Sequence, residues 1–264
     1  MITWFIYILS LLSSYPVFTA NFPGGKVPYI NTAFQSGEEL YFDVAYGWVK
    51  GGEASMTIDL VPVGYDYMYH VKAEAHTTGM FALFSPIQDT YETYIHMLSG
   101  LPIKAIRNIR ENNYTYYNEL LFFRQRHFIR SLNSGDHPAP DNTLDILSAF
   151  YFARRHLFSH NLEKNQIISL FTFFDDQFLD IRIKYKGKEM VRTRFGKVRC
   201  MKFVPDTTNN KTFTKEKQLQ IWVTDDRNFV PVKIKAHLPI GSLKCALTGY
   251  KGLKDPEGQL RNEK

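Results

Sequence analysis

Two adjacent acidic pairs, Asp175-Asp176 and Asp225-Asp226, are by residue type the best equipped for chemistry in this chain. Paired carboxylates can hold a divalent cation or divide the roles of acid and base. Each pair, however, interrupts apolar alternation where a hairpin has to turn, and Asp favours such turns by bonding its own backbone. Neighbours on a strand also point to opposite faces, so neither pair converges by itself. The histidines give no better case. His70 and His76 share a face but stand about 20 Å apart on an ideal strand. His156 and His160 have the i, i+4 spacing of helical metal ligands, yet they fall at a helix C-terminus, where imidazoles cap carbonyls. No G-x-S-x-G elbow, P-loop or G-x-G-x-x-G occurs. The expectation is therefore a non-enzymatic protein with no catalytic residues, no metal and no cofactor.

Arg124, Arg126, His127, Phe128 and Arg130 interleave charge with aromatic rings in a way that could bind nucleic acid. The solvated face of a strand explains the same residues, and an export signal at the N-terminus weighs against that partner, so no nucleic acid is expected. The aromatic surplus, 21 Phe, 16 Tyr and 3 Trp, has two readings. It fills a β-core, or it lines an apolar cleft that receives an acyl chain or similar ligand. On the second reading the lining residues are Tyr46, Trp48, Phe150, Phe152 and Trp222.

The elements that would position them follow from period-two alternation. Leu40, Phe42, Val44, Tyr46 and Trp48 share one face of a first strand; Ala54, Met56, Ile58 and Leu60 share one face of a second. Tyr65 to Ala75 continues the pattern, and three such strands make a meander with one packed and one wet side. Thr77 to Phe84 reads as a helical turn. Strand runs resume over Gln88–Leu98, Ile103–Arg110, Tyr114–Phe123 and His127–Leu132, and Ser131 to Asn142, with its Gly and Pro, reads as a loop. One helix follows over about 143–158, with Asn142 as N-cap, apolar on most sides and therefore buried on most sides. After it, strands return through Leu247, with turns at Lys186-Gly187 and Gly196-Lys197. The predicted fold is mainly β: an antiparallel meander forming a curved sheet, half-open barrel or barrel around one buried apolar helix.

Residues 1–20 contain no charged side chain; Trp4 to Leu12 is an apolar run of signal-peptide length, broken by Ser13, Ser14 and Pro16, and Ala20 is the expected cleavage point. The run is shorter than the ~20 residues needed to span a bilayer. The expected organisation is a signal peptide at 1–20, an extension at 21–36, a single β-rich domain at 37–252 and a flexible tail at 253–264. No Cys lies near the cleavage point, so the protein is expected in the periplasm or at the outer membrane without a lipid anchor. The 32 basic and 26 acidic residues give a net charge of +6, which favours anionic surfaces such as lipid headgroups. The densest basic stretch, Lys211 to Lys217, reads as a solvated loop. Cys200 and Cys245 sit within apolar alternation and read as unbridged buried thiols.

Four blocks carry a resemblance: GEELYFDVAYGWVKGGEASM from Gly37, DILSAFYFARR from Asp145, KEMVRTRFGKVRCMKF from Lys188 and IWVTDDRNFVPVKIKAHLPIGSLKCAL from Ile221. In order and content they resemble the exported bacterial family known as domain of unknown function 3108, in particular its Bacteroides-type members. The resemblance implies an envelope location and a β-rich fold similar to the half-barrels of lipoprotein carriers. It implies no activity and no catalytic residues. Cys245 departs from the family pattern, which lowers the expectation of a shared disulfide. The expected function is binding or carriage of an apolar or amphiphilic ligand in the envelope. The alternatives are a structural or assembly partner of envelope proteins and a hydrolase of envelope polymers.

Overall fold

The computed structural model describes residues 31–157, 161–206, 219–238 and 241–260. The expected signal peptide, most of the expected extension, residues 158–160 and the Lys211–Lys217 stretch lie outside the described residues.

Fourteen strands form one antiparallel sheet. They are β1 (Glu38–Tyr46), β2 (Val49–Val63), β3 (Asp66–Thr77), β4 (Ile87–His96), β5 (Pro102–Glu111), β6 (Tyr114–Phe123), β7 (Phe128–Ser131) and β8 (Gly135–Pro138), followed by β9 (Ile167–Phe174), β10 (Gln177–Thr193), β11 (Gly196–Pro205), β12 (Leu219–Thr224), β13 (Pro231–His237) and β14 (Ser242–Lys251). Helix α1 (Met80–Phe84) joins β3 to β4, and α2 (Ile146–Leu157) joins β8 to β9. Every strand pairs with its sequence neighbour except across α2, and β1 pairs with β14, Val44 opposite Cys245. Among the described residues the sheet therefore curls round with β8 and β9 as its edges and does not close. Of the curved sheet, half-open barrel and barrel that the alternation allows, this is the half-open form.

Three local expectations are corrected. The Gly/Pro stretch 131–142 holds a short strand, β8; its Pro138 is tolerated because β8 is an edge. Lys186-Gly187 is no turn. β10 runs straight through it with a bulge between Tyr185 and Gly187, and Gly187 takes the strained φ of 106° that a side chain would resist. The long helix begins at Ile146 rather than 143. Leu144 is held by the β9 edge instead, donating to the Phe171 carbonyl at 2.9 Å and accepting from Phe173 N–H at 2.8 Å. Asp145 is then the N-cap: its Oδ1 accepts from Leu147 N at 2.9 Å and Ser148 N at 3.1 Å, while Ser148 Oγ accepts from Asp145 N at 2.9 Å. Asn142, the expected cap, is exposed in the preceding turn.

Nine residues of α2 are buried, so the helix lies inside the curl of the sheet. It is anchored there by Arg154, which is fully buried. The guanidinium pairs with both carboxylate oxygens of Glu38 on β1, with Nη2 to Oε2 at 2.9 Å. It also donates to the Asn228 carbonyl in the β12–β13 turn at 2.8 and 3.0 Å, and to Ala33 O at 3.1 Å. Phe34 and Tyr151 rings flank its Cζ at 5.5 and 5.2 Å. Desolvation opposes this charge, but the Glu38 carboxylate and its hydrogen bonds outweigh it and hold Arg154 above its usual pKa. At the other end of the domain, residues 253–260, expected as loose tail, fold back on that same turn. Leu260 is buried, and Asn228 Nδ2 donates to Asp255 O at 2.7 Å.

Candidate functional site: an apolar cavity under the helix

The inner face of a barrel this wide has to be filled, and in this chain several of the filling residues are small. Ala54 and Ala75 sit opposite each other on β2 and β3, and Ala73 is the next inward residue, opposite Met56. Across the interior, Ala149 and Ala153 stand one turn apart on the facing side of α2. Between these walls lies a cavity of about 250 Å³. Phe42 and Val44 of β1, Phe203, Ile221 and Ile234 of β11–β13, and Leu243 and Cys245 of β14 complete its lining. Glu53 and Ser55 border it only as neighbours of Ala54, because alternate side chains leave a strand on opposite faces. The space therefore offers hydrocarbon contact and almost no hydrogen-bonding group. A dry apolar cavity of 150 Å³ holds benzene; in proportion, this one accommodates about ten non-hydrogen atoms.

Of the five residues selected from sequence, Phe150 lines the cavity. Tyr46 lies on the same face of β1 as Phe42 and Val44 but one step beyond them, 40% exposed, with its ring over Gly241. Trp48 is 94% exposed in the β1–β2 turn. Phe152 turns aside to stack on His156, with centroids 4.0 Å apart. Trp222 is buried, but it leaves β12 on the face opposite Ile221 and Val223. There its indole N–H donates to Glu189, and the Nζ atoms of Lys202 and Lys233 each lie 4.9 Å from its ring centroid. What sequence reasoning missed is the alanines: the aromatic surplus fills, and the small residues leave the room.

A second void of about 40 Å³ adjoins the first and shares Tyr91, Ile146 and Leu147 with it. Its walls are mostly apolar, with Ala105, Leu120 and Phe173 among them, and Arg107, Asn118, Asp145 and Asp175 stand at its border. Arg107 donates to Asp175 at 2.6 Å, under the Tyr116 and Phe174 rings, and so ties the β9–β10 hairpin to β5. Asp175 and Asp176 are turn residues, both left-handed with φ of 54° and 58°. Asp225 and Asp226 likewise organise a turn. Asp225 pairs with Lys188 at 2.9 Å and Arg199 at 2.6 Å, and Asp226 accepts from Thr224 Oγ1 at 2.7 Å and Asn228 N at 3.0 Å. His156 Nδ1 lies 2.8 Å from the Phe152 carbonyl, a helix-end contact as expected. Among the described residues no three His, Cys, Asp or Glu side chains are grouped to hold a metal. Cys200 and Cys245 are both free, and burial pushes each thiol up to about 12.

Comparison with known proteins agrees with this architecture. The family model described as "Protein of unknown function (DUF3108)" matches residues 41–248. A β-barrel-like protein of domain of unknown function DUF1849 from Brucella abortus superposes with a TM-score of 0.54 at 8% identity, covering 84% of this chain and 100% of that one. A Bacteroides fragilis protein with a YmcC-like fold, described as a candidate exported protein, gives a TM-score of 0.38 at 8% identity over 84% and 99% of the two chains. A DUF1089 family protein from Pseudomonas aeruginosa gives 0.38 at 13% identity over 67% and 87%. The first of these supports the fold and nothing finer. No curated protein matches the chain.

Proposed function

This chain belongs to the family described as "Protein of unknown function (DUF3108)", and on that premise we propose that it is an exported, non-enzymatic protein that takes up the hydrocarbon part of an apolar or amphiphilic molecule inside its half-barrel. One observation carries the reading: the cavity of about 250 Å³ between α2 and the sheet, walled by alanine and branched aliphatic side chains. An apolar group entering it leaves water at a gain of about 0.8 kcal/mol per methylene and gives up no hydrogen bonds to the walls. The uncharged, apolar run within residues 1–20 supports export. Asp175 is tied to Arg107, Asp225 to Lys188 and Arg199, and Asp226 to the backbone of its own turn, so these carboxylates serve as structural partners, which supports a binding role over a hydrolytic one. The test is native purification, solvent extraction and mass spectrometry of the extract. Recovery of a chain-bearing amphiphile from the wild type but not from Ala153→Phe, whose new ring occupies the cavity, is the expected result. Equal recovery from both, or none from either, counts against the reading.

A second reading, an assembly partner in the envelope, rests on the open sheet. Among the described residues the free edge of β9 makes backbone hydrogen bonds with Leu144, through Phe171 and Phe173, so its first half presents backbone for another strand. Crosslinking in cells distinguishes the two, since a scaffold yields one stable adduct through β9 and a carrier does not.

A further inference from the structure

One end of the sheet exposes apolar side chains that do nothing for the fold. Trp48, in the β1–β2 turn, is 94% exposed, and Met80, Leu83 and Phe84 of α1 are 72%, 79% and 81% exposed. No residue of α1 is buried, so the core does not explain its composition. The two pieces are contiguous. The Phe81 ring lies over Gly51, where a Cβ would meet it at 3.2 Å, and Thr78 N–H donates to Gly51 O at 3.0 Å. From Thr77 to Pro86 the chain carries no charge.

Directly behind this rim the outer face of the sheet is basic. Lys50 of β2, Ala45 of β1, Lys244 of β14 and Lys235 of β13 lie in one cross-strand row. They face outward, because Leu243, Cys245 and Ile234, their alternates, line the cavity. Lys235 and Lys244 are direct partners across the strands, an arrangement that like charges make unfavourable. Neither has an ion-pair partner among the described residues, whereas Lys50 is held by Asp43 and Glu53, each at 2.7 Å. Lys233, in the next row, has Lys244, Lys235 and Lys202 around it against the one carboxylate of Glu189. Lys235 and Lys244 lack an anion, and the rim lacks an apolar phase.

We propose that this end of the half-barrel docks on an anionic lipid bilayer, with Trp48 and α1 set among the acyl chains and Lys235 and Lys244 against the headgroup phosphates. Protruding Trp and Phe above a row of lysines is the composition that settles at a charged membrane interface. The surface is separate from the cavity, but Tyr46 carries the cavity wall of β1 out to the same rim, so docking here would bring the cavity's end to the membrane.

The test is flotation of the exported protein, without the apolar residues 1–20 and their Trp4, with phosphatidylcholine vesicles, with and without phosphatidylglycerol. Binding is expected to the anionic vesicles only and to weaken with salt. Lys235→Gln with Lys244→Gln should lower partitioning about thirty-fold. A blue shift of tryptophan emission on binding should vanish in Trp48→Phe. Equal binding of wild type and the double lysine variant, no Trp48-dependent shift, or a dimer dissolved by Leu83→Ser in place of vesicle binding would overturn the proposal. Ala153→Phe fills the cavity and leaves the rim intact, so its vesicle binding separates failure of this proposal from failure of the cavity reading.

Discussion

Replacing Glu38 with Gln should destabilise this protein more than almost any other single change of one atom type. Glu38 and Arg154 are each about 1% exposed or less, and the pair joins α2 to β1 in the interior. With the carboxylate gone, a guanidinium stays buried with only carbonyls and an amide for partners. Breaking one side of a buried pair costs about 3–5 kcal/mol, most of it the penalty of the charge left behind. Arg154→Met should cost a similar amount, since it strands the carboxylate. The double variant Glu38→Gln, Arg154→Met removes both charges and should lose less than the sum of the singles by about 2 kcal/mol. Urea unfolding followed by circular dichroism measures all three against wild type, with unchanged m-values as the sign that only stability moved. At this chain length the single variants should also melt about 6–20 °C lower. Single losses within 1 kcal/mol, or strict additivity in the double, would refute the reasoning that the pair anchors the helix.

Two further predictions concern the cap and the thiols. Asp145→Ala removes the acceptor for Leu147 and Ser148 N–H and should cost about 0.5–2 kcal/mol in the same assay, whereas Asn142→Ala should cost nearly nothing. Cys200 and Cys245 should resist a water-soluble disulfide reagent at pH 8 and react once urea unfolds the chain. Since burial raises the Cys200 thiol from 9.0 to about 12, the folded state holds its proton more tightly than the unfolded state. Its stability contribution is complete below pH 9 and declines as pH rises from 9 towards 12. At pH 10 the loss is about 1.4 kcal/mol. A pH slope no steeper in wild type than in Cys200→Ala would contradict this.

Much of the fold is legible in the two-residue rhythm, because a strand with one dry face can be satisfied only by a sheet that curls over its own interior. The same rhythm already separated Trp222 from Ile221 and Val223, so its exclusion from the cavity could have been read from the sequence. Trp48 continued the inward face on paper, but β1 ends at Tyr46 and the chain turns before the indole can point inward. The helix starts later than its apolar pattern because the lead-in at Leu144 serves the β9 edge, a contact between residues 144 and 171–173 that local pattern does not encode. Gly187 suggested a turn since a bulge and a turn ask for the same left-handed backbone. Arg154 was invisible as a core residue for a related reason. An arginine on an apolar helix becomes buried only if a carboxylate more than a hundred positions away meets it, as Glu38 does.

The cavity's alanines were the hardest to see, for small residues on an inward face look like ordinary packing until the opposite wall is known to be small as well. Their role is also the easiest to measure. Titration of the purified protein with a fluorescent alkyl probe, comparing wild type with Ala153→Phe and with the outward-facing Lys72→Gln, addresses it directly. Saturable binding by wild type and Lys72→Gln, lost in a folded Ala153→Phe, is the predicted result. Undiminished binding when the interior is filled would contradict the claim that this half-barrel holds its ligand beneath the helix.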